Sequence, residues 1–406
     1  MKRKKAWMTL VLTLLMVTLM VADLAASITW SDEVQITNDF DFDGYPSIAQ
    51  MNDGRIWIVW KSRRITNHET RNSNIFCKIY NRTWSNDTAL VTDLSEDIGP
   101  SITQAQDGKI WLVWASNRLG NYSIYYKTSP SNGLWWTSET RLTADSDGDY
   151  HPSILQASDG KIWVVWQRNL SGNHEIFYKV FNGSSWSNET RLTTDPNFDM
   201  NPSITQMHDS RIWVSWCSDR IGGGENYEIF YKVFNGSSWS IDFQLTDSPD
   251  IDAEPTIFQT LNGTIWVIWT SRKPTPTATN DLYYRTSSDN GITWSGIIQL
   301  TTDANDDTWP SAIQIHDRSI WIVWASDRIE NWEIYFKCSP AGDVNNDGIV
   351  DVVDIVLVVH ALWTTNATGG VPGEWWAWNP DSDLDANGIV DAYDLYIVTI
   401  NYLEYA

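Results

Sequence analysis

The densest chemistry in this 406-residue chain lies near its C-terminal end. Asp343-Val-Asn-Asn-Asp-Gly-Ile-Val-Asp-Val-Val-Asp354 sets oxygen-bearing side chains at loop positions one, three, five, nine and twelve, with Gly348 at position six. That spacing suits a hard divalent cation such as calcium, which gathers about six to eight oxygen ligands around a loop that turns sharply at a glycine. Asp343, Asn345, Asp347, Asp351 and Asp354 would supply side-chain oxygens, and Ile349 a backbone carbonyl. Asp383 to Asp394 repeats the scheme with Gly388 at the turn. Its donors would be Asp383, Asp385, Asn387, Ile389, Asp391 and Asp394. Two calcium ions are expected, because this many carboxylates in so short a run repel one another without a cation.

Other chemistry is thinner. No His-Glu-x-x-His, P-loop, Gly-x-Ser-x-Gly or paired-cysteine zinc pattern occurs. Cys77, Cys217 and Cys338 are too few and too scattered for a disulfide framework. With 28 basic against 51 acidic residues the net charge is −23. That excludes binding which depends on neutralising nucleic-acid phosphates. Glycoside hydrolysis needs two carboxyl groups flanking a bond. Glu254 with Asp307 is the pair that can be nominated.

The elements that must position such groups come from a repeat. A Pro-Ser-Ile-like start recurs at Pro46, Pro100, Pro152, Pro202, Pro255 and Pro310. Each is followed by an Ile-Trp-x-x-Trp run: Trp57/Trp60, Trp111/Trp114, Trp163/Trp166, Trp213/Trp216, Trp266/Trp269 and Trp321/Trp324. An aromatic strand and a Trp-Ser segment complete the unit, which reads as four strands, A to D, joined by Gly/Asn/Asp/Ser turns. Strand B, for example Ile162-Trp-Val-Val-Trp166, is apolar at every position, as burial on both faces requires. A radial array of similar sheets provides that burial for every copy. The Trp pairs are then inter-blade core. Trp30 to Thr37 reads as a strand D with no A to C before it, while the last unit lacks a D. The N-terminal strand is therefore expected to complete the sixth blade and close the ring.

Three features recur on one face of such a ring. The first is Asp-x-x-x-Asp: Asp39/Asp43, Asp93/Asp97, Asp145/Asp149, Asp195/Asp199 and Asp303/Asp307, with Asp247 and Asp252 in a variant copy. The second is a base after strand B: Arg64, Arg118, Arg220, Lys273 and Arg328, with Leu170 at this place in the third blade. Their repetition implies a structural bridge from each base to a loop acid. The third is the residue before each proline, which differs in every copy: Tyr45, Gly99, His151, Asn201, Glu254 and Trp309. These are expected to ring the channel mouth. Aromatic and polar groups around a concavity suit a sugar or peptide, so Tyr45, His151, Asn201, Glu254 and Trp309 are the candidate ligand-binding residues.

Two resemblances rest on these motifs. Ser287-Ser-Asp-Asn-Gly-Ile-Thr-Trp294 resembles the Asp box of sialidase-type propellers, with degenerate copies at Ser129 to Trp136 and Asn182 to Trp186. Ser326 to Tyr335 also resembles an element of TolB-type six-bladed propellers. The resemblance implies the fold; Asp boxes are turn elements away from the family's active site. A sialidase would also carry an arginine triad, the first usually in Arg-Ile-Pro, and none of the five Arg-Ile pairs here is followed by Pro. The paired loops, each ending in Asp and followed by an apolar helix (355–363 and 395–403), resemble a type I dockerin. That implies docking on a cohesin-type domain. The spacing between the loops exceeds the family's. Positions ten and eleven, Val352-Val353 and Ala392-Tyr393, differ between copies, which sets this chain apart from the family's two-way binding.

Residues 1–27, with the basic Met1 to Lys5, an apolar run to Ala22 and small residues at Ala25 to Ser27, read as a signal peptide. A retained anchor is the alternative. Asn-x-Ser/Thr sites at Asn81, Asn86, Asn121, Asn169, Asn182, Asn188, Asn235, Asn262 and Asn366 fit export. The sequence thus describes an all-β six-bladed propeller (28–340) and a small α-helical dockerin-like paired calcium-loop domain (341–406). The expected product is extracellular, possesses no membrane span after signal cleavage, and binds a glycan or protein on the propeller. A glycoside hydrolase and a purely structural surface protein are the alternatives.

Overall fold

A computed structural model of the chain describes residues 30–340 apart from 65–71, 131, 145–146, 222–225 and 276–277, together with positions 28, 384, 390, 394 and 397. The expected signal segment, and the calcium loops and helices other than those isolated positions, lie outside the described residues.

Asp32–Cys338 forms a compact unit of six four-stranded antiparallel sheets. The first blade shows the pattern: Asp43–Gln50 (A), Ile56–Ser62 (B), Asn74–Tyr80 (C) and Thr88–Val91 (D). In the sixth, Asp307–Gln314, Ile320–Ser326 and Glu333–Cys338 are joined by Val34–Gln35, which pairs with Tyr335 and Phe336. The chain start therefore closes the ring, as the repeat order predicts. Strand D is shorter than the sequence suggests, two residues in every blade but the first. It is the outer edge, and a short edge offers little unpaired backbone to other chains.

Strand B explains the tryptophans. Ile56 to Trp60 are all buried, and Trp60, Trp114, Trp166, Trp216, Trp269 and Trp324 are wholly so. The clusters they form span neighbouring blades: Trp57 and Val59 pack with Ile102, Leu112 and Trp114, while Trp60 and Ile58 pack with Trp321 and Val323. The Trp that ends each unit caps this layer, as Trp186 does edge-on against Trp111 of the preceding blade at 6.2 Å.

The acid–base repeats bind each blade at its top. Asp97, Asp149, Asp199, Asp252 and Asp307 each accept the indole N–H of the second Trp at 2.9–3.0 Å. Arg64, Arg118, Arg220 and Arg328 reach Asp43, Asp97, Asp199 and Asp307, and a second carboxylate from the chain beside strand D, such as Glu33 for Arg328. Each guanidinium also lies over a strand-C ring, Tyr335 in the case of Arg328, at 4.3 Å.

The structural bridge is thus present in these blades, with two corrections. In the third blade strand B runs on to Leu170 without a break, so Arg168, two residues earlier, holds Asp149 at 2.6 Å. In the fifth, no ion pair joins Lys273 to a described acid. Asp252 leans there on Ser248, Ser271 and Trp269, with no cation among the described residues, and burial raises its carboxyl to about 6.

The Asp box is a self-contained turn. Ser287 Oγ donates to Asp289 Oδ1 (2.8 Å), and Asp289 accepts both the N–H and the hydroxyl of Thr293. Gly291 has φ +82°, and a Cβ there would stand 2.4 Å from Trp213. Among the described residues no helix is long and apolar enough to cross a membrane.

Candidate functional site

Strands A line the central channel, and each is broken at the same place. The ladder between strands A and B slips at Tyr45-Pro46, Gly99-Pro100, His151-Pro152, Asn201-Pro202, Glu254-Pro255 and Trp309-Pro310. The pre-proline residue at each slip has φ between +49° and +58°. Gly99 takes that conformation without cost and Asn201 at little; for the other four it is worth about 1–3 kcal/mol. A bulge of this kind re-aims a side chain, and here it directs six different residues to one place.

That place is a cavity of about 130 Å³ lined by Tyr45, Gly99, His151, Asn201, Glu254 and Trp309 with their prolines. All six residues expected at the mouth are brought together. Tyr45 and Trp309 stack at 4.0 Å with 24° between planes, and His151 lies 5.2 Å from Tyr45. Glu254 Oε2 accepts from Thr270 Oγ1 (2.8 Å) and the Trp309 N–H (3.1 Å). Burial pushes its carboxyl up to about 7 despite those bonds, which favour the charged form. The other oxygen can then carry a proton and donate it to a ligand. Burial, aided by Lys61 and His174, lowers the His151 imidazole to about 4, so it is neutral at physiological pH. The Asn201 N–H donates to Gln167 Oε1 at 2.8 Å.

Asp307 is not among the lining residues. It is wholly buried against Trp324 and Arg328. The structure therefore does not bring Glu254 and Asp307 together on the cavity wall, and Glu254 is the sole carboxylate among the described lining residues.

Several residues of the channel were not singled out from sequence. Ser47, Ser101, Ser153, Ser203, Thr256 and Ser311 form a waist shared by the mouth and a lower cavity of about 390 Å³. Five of these hydroxyls accept a strand-A N–H of the next blade at 3.2–3.3 Å. At the lower end Gln50, Gln104, Gln156, Gln206, Gln259 and Gln314 each accept an N–H from the A–B turn of the preceding blade. The signal was present, since a hydroxyl follows each proline and a Gln follows it by four residues. Around the mouth, Phe42, Lys61, Thr270 and Trp332 lack such a repeat and emerge only from the fold.

Of the expected calcium ligands, Asp343, Asn345, Asp347, Ile349, Asp351, Asp354, Asp383, Asp385, Asn387, Ile389 and Asp391 lie outside the described residues. Asp394 is buried, and its Oδ1 accepts the Leu384 N–H at 2.6 Å, which draws the last position of the second loop to its second. Leu384 and Val390 are wholly buried.

No protein-family model and no curated protein matches the chain. Solved structures do. A protein of unknown function from Dyadobacter fermentans aligns with a TM-score of 0.64 at 12% identity, covering 77% of this chain and 99% of that one. The NanB sialidase of Streptococcus pneumoniae gives 0.56 at 12% identity over 77% and 70%. An α-L-arabinanase of Penicillium chrysogenum, solved with arabinobiose, gives 0.58 at 16% identity over 76% and 98%. At such identities the likeness concerns architecture alone. The chain is a six-bladed β-propeller whose structural neighbours include sialidases and arabinan-degrading enzymes.

Proposed function

We propose that the propeller is a glycan-binding module whose site is the channel mouth. The observation that carries this reading is the convergence of six dissimilar residues, four of them in a costly backbone conformation, on one cavity. Stacked Tyr45 and Trp309 offer an apolar wall, and Glu254, His151 and Asn201 offer hydrogen-bonding groups, the mixture that small-ligand sites use. The volume is below the roughly 300–1,000 Å³ of sites that enclose a drug-sized ligand. The mouth therefore suits one end group rather than a whole oligosaccharide.

A second reading, glycoside hydrolysis, is favoured by Glu254, since a carboxyl held protonated to about 7 is in the form a general acid requires. It lacks a partner, because the described lining residues offer no second carboxylate for nucleophile or base. Mass spectrometry of a mixed glycan pool incubated with the whole chain separates the two. Retention without shorter products is the expected result, and new shorter products would establish the hydrolase.

The C-terminal loops complete the proposal as a calcium-dependent docking module of dockerin type, facing a cohesin-type partner. It would tether an exported propeller to an extracellular polysaccharide-processing or surface assembly. Support comes from the two register-matched donor sets and from Asp394, buried and bonded to the Leu384 N–H of the same loop. Calcium would be held by Asp343, Asn345, Asp347, Ile349, Asp351 and Asp354, and by the matching set from Asp383 to Asp394. Exposure of Asn81, Asn86, Asn121, Asn182, Asn188, Asn235 and Asn262 leaves these acceptor sites open to glycosylation.

A further inference from the structure

The cup has one extended wall. Trp309, which lines it, packs on Trp332 at 5.2 Å and Phe42 at 6.0 Å, and these two meet each other at 6.1 Å. All three rings are half-buried, each with part of its surface open. Their close approach depends on Gly44, where a Cβ would stand 2.7 Å from the Phe42 ring and 3.1 Å from that of Trp309. The other blades carry Ile98, Tyr150, Met200, Ala253 and Thr308 at this place, so the glycine belongs to this side of the ring alone. Lys61 borders the ledge, with Nζ 5.1 Å from the Phe42 centroid and 5.5 Å from that of Tyr45. It forms no ion pair with a described residue, so its ammonium protons can serve a ligand. The rings Tyr122, Tyr150, His174 and Phe198 form a separate chain over the second to fourth blades. No ring contact joins it to Trp309 among the described residues.

We infer that the site reads a linear oligosaccharide end-on. One terminal sugar sits in the cup, and the following one or two units lie along Trp332 and Phe42 and leave the channel over the sixth and first blades. This rests on the glycan-binding reading and names its ligand class. The cup is too small for a second unit, while aromatic faces add apolar contact at little entropic cost because their side chains have few rotatable bonds. Lys61 would donate to hydroxyls of the second unit.

The test is calorimetry of the whole chain against arabino-, cello- and galacto-oligosaccharides of one to four units. In at least one series affinity should rise about tenfold or more from one unit to three and then level off. Trp332→Ala should flatten that rise while leaving single-sugar affinity within about twofold, and Glu254→Gln should weaken every length alike. Phe42→Leu, which keeps an apolar side chain against Gly44, guards against collapse of the ledge and should give a smaller version of the Trp332 effect. A length-independent series, or a Trp332→Ala loss equal for one and three units, overturns the end-on arrangement but leaves glycan binding standing. Absence of binding in all three series removes both.

Discussion

At the scale of single residues, position within the repeat separates structure from function. Asp307 and Glu254 are both carboxylates on strand A, yet one recurs in every blade and the other in none. Asp307, fully buried, is held by Trp324 and Arg328. Asp307→Asn should therefore destabilise the propeller by about 3 kcal/mol, because it leaves a largely buried guanidinium short of its partner. Chemical denaturation reads that loss directly. Asp252 pairs with no cation among the described residues, and its carboxyl is raised to about 6 by burial. Its ionisation opposes folding, so Asp252→Asn should raise the thermal midpoint at pH 8 and by roughly half as much at pH 5, where the unfolded carboxyl is already charged. A fall at pH 8 would mean that a base reaches Asp252 after all. The nomination of Asp307 as a chemical group came from counting carboxylates, which sequence allows. Seeing that its place in the repeat buries it required the indole and guanidinium contacts.

At the scale of elements, the bulge in strand A is the device that makes a site. The repeat displayed its position, since the variable residue always precedes proline, but not its conformation. Proline disfavours the right-handed helical region for the residue before it, and nothing in the sequence announces a left-handed one at Tyr45, His151, Glu254 or Trp309. Gly99 isolates the cost. A Cβ there would meet nothing nearer than 3.5 Å, so any penalty is conformational. Gly99→Ala should lose about 1–3 kcal/mol, whereas Gly99→Asn, a residue that tolerates this region, should lose clearly less. Equal losses in denaturant melts would place the cost in packing instead. Strand D teaches a related limit. Trp30 to Thr37 has the composition of a strand, but only Val34 and Gln35 enter the ladder, because an outermost strand has a partner on one side alone.

At the scale of the whole molecule, the ring is held by layers that repeat: tryptophans between blades, hydroxyls at the waist and glutamines below. Period and composition made the six blades and the ring closure legible. The aromatic ledge was not, because Phe42, Gly44, Trp309 and Trp332 come from the two ends of the propeller sequence and meet only when the N-terminal strand closes it. Several buried carboxyls set the response to pH. Burial raises Glu228 and Glu333, at the starts of strands C, to about 7 each. A carboxyl raised above its unfolded value of about 4.5 lends stability below that value and loses it as pH rises through 7. The thermal midpoint should accordingly be higher at pH 5 than at pH 8, and the reverse order would show that these groups ionise without penalty. Chelation should act elsewhere. Removing calcium should abolish hydrogen-exchange protection in 341–406 and leave the propeller transition in place, since metal binding and folding are coupled in small modules. Protection that persists without calcium would refute the paired-loop reading.

The claim on which the rest depends is that the channel mouth binds a glycan. Its most direct measurement is a glycan array probed with the whole chain and with Trp309→Ala, both first shown to have the same thermal midpoint. The expected result is a defined set of glycans retained by the wild-type chain and lost by the variant. Equal retention by both, or none by either, would contradict it.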